Sequence, residues 1–133
     1  MSGIDHIGIA VTSLEESLVF YTKTMGMTLV AIEEVPSEKV RVAILDCEGV
    51  RIELLEPTEK DSVIAKFIEK KGPGVHHMAY SVSDVEKQVG VLKSTQVKLI
   101  EPAPRSGAGG CTVAFVHPKS TGGVLVELVE RPE

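Results

Sequence analysis

The chain has 133 residues, 19 of them acidic and 14 basic, for a formal charge of −5. That length suits one ordinary domain, or two modules of about 60 to 70 residues sharing a core. The acidic balance, a longest basic cluster of only Lys70-Lys71 and the absence of tryptophan exclude a nucleic-acid partner; no apolar run approaches the roughly 18 residues of a membrane span.

Residues 4–11 alternate in polarity and predict a strand. Thr12 with Glu15, or Ser13 with Glu16, offers a capping box for a helix running to about Met25, with Leu14, Leu18, Tyr21 and Met25 inward. Gly26 stops it, and β-type runs follow near 27–35, 39–47 and 50–56, giving βαβββ over about 3–57. Residues 58–74 form a connector with a short helix starting near Asp61-Ser62 and using Ile64, Phe67 and Ile68. The plan then repeats over about 75–131: a strand at 75–82, a Ser83/Glu86 capping box, a helix to about Ser94 with Val85, Val89 and Leu92 inward, and strands near 97–100, 112–117 and 123–130. The intervening 102–110, with two prolines and three glycines, is expected to be loop. One helix followed by three strands in each half predicts an α+β fold, with helices on one face of a mixed sheet.

The halves also repeat in chemistry. Ile4-Asp5-His6-Ile7-Gly8 matches Val75-His76-His77-Met78-Ala79, and Arg51-Ile52-Glu53-Leu54 matches Leu125-Val126-Glu127-Leu128; the histidines are 71 residues apart and the glutamates 74. Strand side chains alternate between faces, so His6 shares a face with Gly8 and Ala10, and His77 with Ala79 and Ser81. Ile7, Ile9, Met78 and Tyr80 take the helix-packing face, and His76 goes with them. By the same parity Glu53 and Glu127 leave the face of their apolar neighbours. A carboxylate there is costly unless paired or bound to a cation, and two imidazoles with two carboxylates make a complete ligand set for one divalent ion. A lone histidine or glutamate on a strand is ordinarily structural; repetition of type, parity and position in both halves selects the metal reading for His6, Glu53, His77 and Glu127. Glu56 and Glu130, of opposite parity, are read as solvated strand ends, and His117 as a strand-ending turn or a lining of the pocket mouth. Cys47 and Cys111 are isolated packing residues, and with no basic N-terminal region followed by an apolar run they point to a reducing cytoplasm.

With these residues in place the chain resembles the vicinal oxygen chelate superfamily over nearly its whole length, and within it the methylmalonyl-CoA epimerase family. The resemblance rests on Leu54-Leu55-Glu56-Pro57, residues 61–67, 74–80 and 107–110, and above all on the run Phe115-Val116-His117-Pro118-Lys119-Ser120-Thr121-Gly122-Gly123 leading to Glu127. It implies a single domain over 1–133 whose modules curve the sheet into a cup, with helices outside, around one divalent metal ion per subunit, Co2+ first, with Ni2+, Zn2+ or Mn2+ as alternatives. It also implies a homodimer, an acyl-CoA substrate, and epimerisation of (R)- and (S)-methylmalonyl-CoA by α-proton abstraction. Glu127 is then the first candidate base and Glu53 the second; Gly109, Gly110, His117, Lys119 and Ser120 are candidate substrate contacts. Some members carry a glutamate one strand earlier and a glutamine as second ligand. Here those positions read Val42 and Glu53. A glyoxalase I-type lactoylglutathione lyase, and a non-catalytic metal-dependent binding or resistance protein, share the same His/Glu pattern and stand as rivals.

Overall fold

The structure, a computed structural model, describes residues 1–133. Its elements run β1 (Ile4–Ala10), α1 (Leu14–Leu18), β2 (Thr28–Val35), β3 (Val40–Cys47), β4 (Val50–Pro57), α2 (Val63–Lys71), β5 (Gly74–Ser81), α3 (Val85–Ser94), β6 (Leu99–Ser106), β7 (Thr112–Val116) and β8 (Val126–Glu130). This is the expected α+β plan of two βαβββ modules, with α2 in the connector. No helix is long and apolar enough to cross a membrane. The chain divides into two compact units, His6–His76 and Met1–Asp5 with His77–Glu133.

In the first unit the strand order is β2-β3-β4-β1, with β1 parallel to β4 and the other pairs antiparallel. Alternation divides its apolar residues into two layers. Val11, Leu14, Ala43, Leu45, Ile52 and Leu54, joined by Ile7 and Ile9, pack beneath α1. On the opposite face Ala10, Val40, Val42 and Leu55 pack against Ile64, Phe67 and Ile68, the i, i+3, i+4 stripe of α2. The Ser62 hydroxyl starts that helix by accepting from the Ile64 N–H at 3.1 Å.

The first helix departs from expectation after one turn. Ser13 is its N-cap, its hydroxyl accepting from the Glu16 N–H at 3.2 Å. Beyond Leu18 the backbone widens into a π-helical stretch, Val19–Thr24, where the Met25 N–H reaches back five residues to the Phe20 carbonyl at 2.9 Å. Each such turn takes up an extra residue, so later side chains rotate off the expected face. Met25 is therefore exposed, and Met27 packs on the core instead.

In the second unit the order is β5-β8-β7-β6, with β5 parallel to β8 and the other pairs antiparallel. Val85, Val89 and Leu92 of α3 pack on Leu99, Ala114, Val116 and Leu128, and Asp84 rather than Ser83 caps it, accepting from the Lys87 N–H at 3.0 Å. The segment read as loop is in large part strand. β6 pairs with β7 at Leu99 and Ile100, breaks register, and pairs again at Arg105 and Ser106. Pro102 and Pro104 sit in the break, at the sheet edge, where no ladder donor is required.

Glu56 and Glu130 are not solvated ends. Glu56 Oε2 accepts from the Leu14 N–H at 2.8 Å and Glu130 Oε1 from the Val85 N–H at 2.9 Å. Each thus receives the first N–H of its own module's helix, a group with no partner within the helix, and sets a negative charge at the positive end of the helix dipole. Arg41 donates to Glu56 at 3.0 and 3.2 Å and also to Glu15, whose carboxyl that hydrogen bond holds below its ordinary range. In the second unit Arg131 clasps the buried Asp5 with two bonds of 2.7 and 2.8 Å. Cys111 is buried as expected, whereas Cys47 is exposed.

Candidate metal centre and active site

Within each unit a histidine and a glutamate meet through the same register. In the first, Gly8 stands opposite Glu53; in the second, Ala79 stands opposite Glu127. The histidine two residues before each small residue shares its face, so nothing bulky separates imidazole from carboxylate. His6 Nδ1 lies 3.6 Å from Glu53 Oε2, and His77 Nε2 lies 3.2 Å from Glu127 Oε1. His6, His77 and Glu127 are buried, at 5%, 7% and 8% exposure, while the Glu53 side chain is 17% exposed.

These separations can be tested against metal binding. Two ligands each about 2.1 Å from one ion stand about 3.0 Å apart at right angles and about 3.4 Å apart at the tetrahedral angle. The His77–Glu127 pair falls inside that range and the His6–Glu53 pair just outside it. Neutral imidazole with carboxylate suits divalent ions of intermediate softness, and a cation compensates the burial of these carboxylates. The residues fit.

His76, one position from His77, takes another environment. Its ring meets Phe67 of α2 edge-on, 5.0 Å between centroids. His117 Nδ1 accepts from the Lys119 N–H at 3.0 Å and so caps the short turn Pro118–Ser120. The Ser120 hydroxyl accepts from the Lys98 N–H at 2.9 Å. Both side chains brace the turn that follows β7, His117 from within it and Ser120 by tying it to the residue before β6. Gly109 and Gly110 take left-handed φ values of 66° and 76°, which spare glycine the clash a Cβ would bring.

Two further side chains stand beside the His77–Glu127 pair. Phe115 stands opposite Glu127 in the β7–β8 register and meets the His77 ring edge-on at 6.3 Å and 83°. The Arg105 guanidinium lies over the Phe115 ring, 4.8 Å from its centroid. Period-two parity marks Phe115 as sharing the site's face. Arg105 is not legible in the sequence, because the prolines and glycines around it predict a loop.

Residues 5–115 match the family model of the Glyoxalase/Bleomycin resistance protein/Dioxygenase superfamily, so fold and site together define a vicinal oxygen chelate protein. The ethylmalonyl-CoA/methylmalonyl-CoA epimerase of Cereibacter sphaeroides is 36% identical, over 94% of this chain and 95% of that protein. The crystal structure of methylmalonyl-CoA epimerase from Mycobacterium tuberculosis superposes with a TM-score of 0.92 at 40% identity, covering 98% of this chain and 89% of that one. A variant of the Streptomyces coelicolor methylmalonyl-CoA epimerase, in complex with 2-nitronate-propionyl-CoA, gives 0.92 at 36% identity, covering 100% and 99%. The chain belongs to the methylmalonyl-CoA epimerase family, a family of isomerases.

Proposed function

We propose that this chain interconverts (R)- and (S)-methylmalonyl-CoA, and that His6, Glu53, His77 and Glu127 hold one divalent ion per subunit. The observation that carries the reading is the duplicated pairing of a buried histidine with a glutamate at one register in both modules, in a member of an epimerase family. A bound divalent ion supplies Lewis-acid stabilisation of the negative charge that develops on the substrate oxygens as the α-proton leaves. Co2+ is our first assignment, with Ni2+, Zn2+ and Mn2+ compatible with the same donors.

The chain's own work is proton transfer. Glu127 accepts the α-proton on one face of the carbon, and inversion requires a proton returned from the other face, which we assign to Glu53. Positioned carboxylates of this kind contribute about 10² to 10⁴-fold each. Val42 makes the second assignment necessary: it is buried with Leu55 and Ile64 beneath α2, so β3 offers no carboxylate at the position where other members have one. Gly109, Gly110, His117, Lys119 and Ser120 belong to the reading as substrate contacts. So do a homodimeric assembly and a cytoplasmic setting, the latter consistent with two free thiols.

The test is solvent exchange. Enantiopure methylmalonyl-CoA in deuterated water should gain deuterium at the α-carbon and racemise, whereas propionyl-CoA, lacking the carboxylate, should exchange far more slowly. Equal exchange of both would sink the mechanism. Turnover of the glutathione–methylglyoxal hemithioacetal with none of methylmalonyl-CoA would assign the chain to the lyase class instead.

A further inference from the structure

Arginine 105 has no place in the chemistry described so far. It lies near the C-terminal end of β6 in register with Val113, and Phe115 two residues further along β7 is in register with Glu127, itself opposite Ala79. Ala79, Val113, Phe115 and Val129 form the apolar layer on the face away from α3. Arg105, Phe115, Glu127 and Ala79 therefore run across four adjacent strands on the side that carries His77. Strands are about 4.8 Å apart, so β6 stands some two strands from Glu127, and the arginine leans back over the ring that separates them, its Cζ 4.8 Å from the ring centroid.

Arg105 is half-buried and forms no ion pair, in contrast to Arg41 and Arg131, which are committed to carboxylates. The Phe115 face holds the cation through a cation–π contact that occupies none of its N–H donors. A planar cation fixed from below, partly desolvated and with its donors unspent, is arranged to receive a planar anion through two parallel hydrogen bonds.

We propose that Arg105 binds the free carboxylate of a malonyl thioester and so sets the specificity of the site for a carboxylated acyl group. The proposal rests on the epimerase reading. The phosphates of coenzyme A are the other anions on that substrate, but they lie a full pantetheine arm from the reacting carbon, whereas a single aromatic ring separates Arg105 from His77. Removing the α-proton beside a carboxylate gathers two negative charges on one small fragment, and a guanidinium within reach lowers that cost.

The experiment compares malonyl-CoA with acetyl-CoA by titration calorimetry on the metal-loaded protein, for wild type, Arg105→Gln and Arg105→Lys. Wild type should prefer malonyl-CoA. Arg105→Gln should reduce that preference by about ten- to a hundredfold at unchanged metal content and unchanged acetyl-CoA affinity, as expected for a lost charge-assisted pair. Arg105→Lys, which keeps the charge without the fork, should restore part of it. A preference retained in Arg105→Gln overturns the proposal. So does an equal loss for both ligands, which would place the phosphates at Arg105. Loss of the preference in Arg51→Gln alone, across from His6 in the β1–β4 register, would move the role there. Absence of any malonyl preference in wild type would defeat the epimerase reading itself.

Discussion

At the residue scale the site depends on small side chains as much as on ligands. Ala79 is fully buried opposite Glu127, and its methyl leaves the room in which His77 and Glu127 approach to 3.2 Å. Ala79→Val should lower metal affinity while removing no ligand, read as metal content after dialysis against a graded chelator. His77→Ala should lose metal more severely, by well over the roughly tenfold typical of outer-sphere partners. His76→Ala should leave metal content unchanged while losing its packing on Phe67; the reverse pattern would refute the assignment of His77. Glu53→Gln separates ligand from base, because an amide oxygen still binds metal but accepts no proton. We expect that variant to exchange the α-hydrogen of one enantiomer through Glu127 without inverting it. Epimerisation at the wild-type rate would leave Glu53 a ligand only.

At the element scale each module's helix is anchored to the end of its last strand by one carboxylate. Glu56→Ala and Glu130→Ala strip a charged partner from the first N–H of α1 and α3. A destabilisation of about 1–2 kcal/mol is expected for each in urea unfolding. The Glu56 variant should be the worse, since it also deprives Arg41 of a partner. The exposed pairs Arg41–Glu15 and Lys39–Asp61 hold their carboxyls below the ordinary value through hydrogen bonds. A depressed carboxyl contributes stability above its unfolded pKa and loses it as pH falls through the folded one. Asp61→Asn should therefore remove a small increment at neutral pH and none in strong acid, a difference readable from melting curves at the two pH values.

At the scale of the whole molecule, an ion that binds only the folded chain adds its binding free energy to folding. Saturation at 100 times the dissociation constant stabilises a native state by about 2.7 kcal/mol, or several degrees in Tm for a domain of this size. Exhaustive chelation should lower Tm by that order, and added Co2+ should restore it. A Tm indifferent to chelator and metal would count against the four-ligand centre.

The sequence by itself determined the two βαβββ modules, the faces of their strands and the four candidate ligands. Period-two alternation and internal repetition are local signals, and they survive any arrangement of the elements. Tertiary structure decided what depends on partners distant in sequence. The anchoring glutamates are read only when residues 42 and 45 positions away are seen to meet them. The broken β6 exists because β7 supplies its ladder on both sides of the prolines. Arg105 acquires meaning only over Phe115, beside His77. Composition alone cannot distinguish a turn arginine from one held at a site, because the distinction lies in which aromatic ring folding places beneath it.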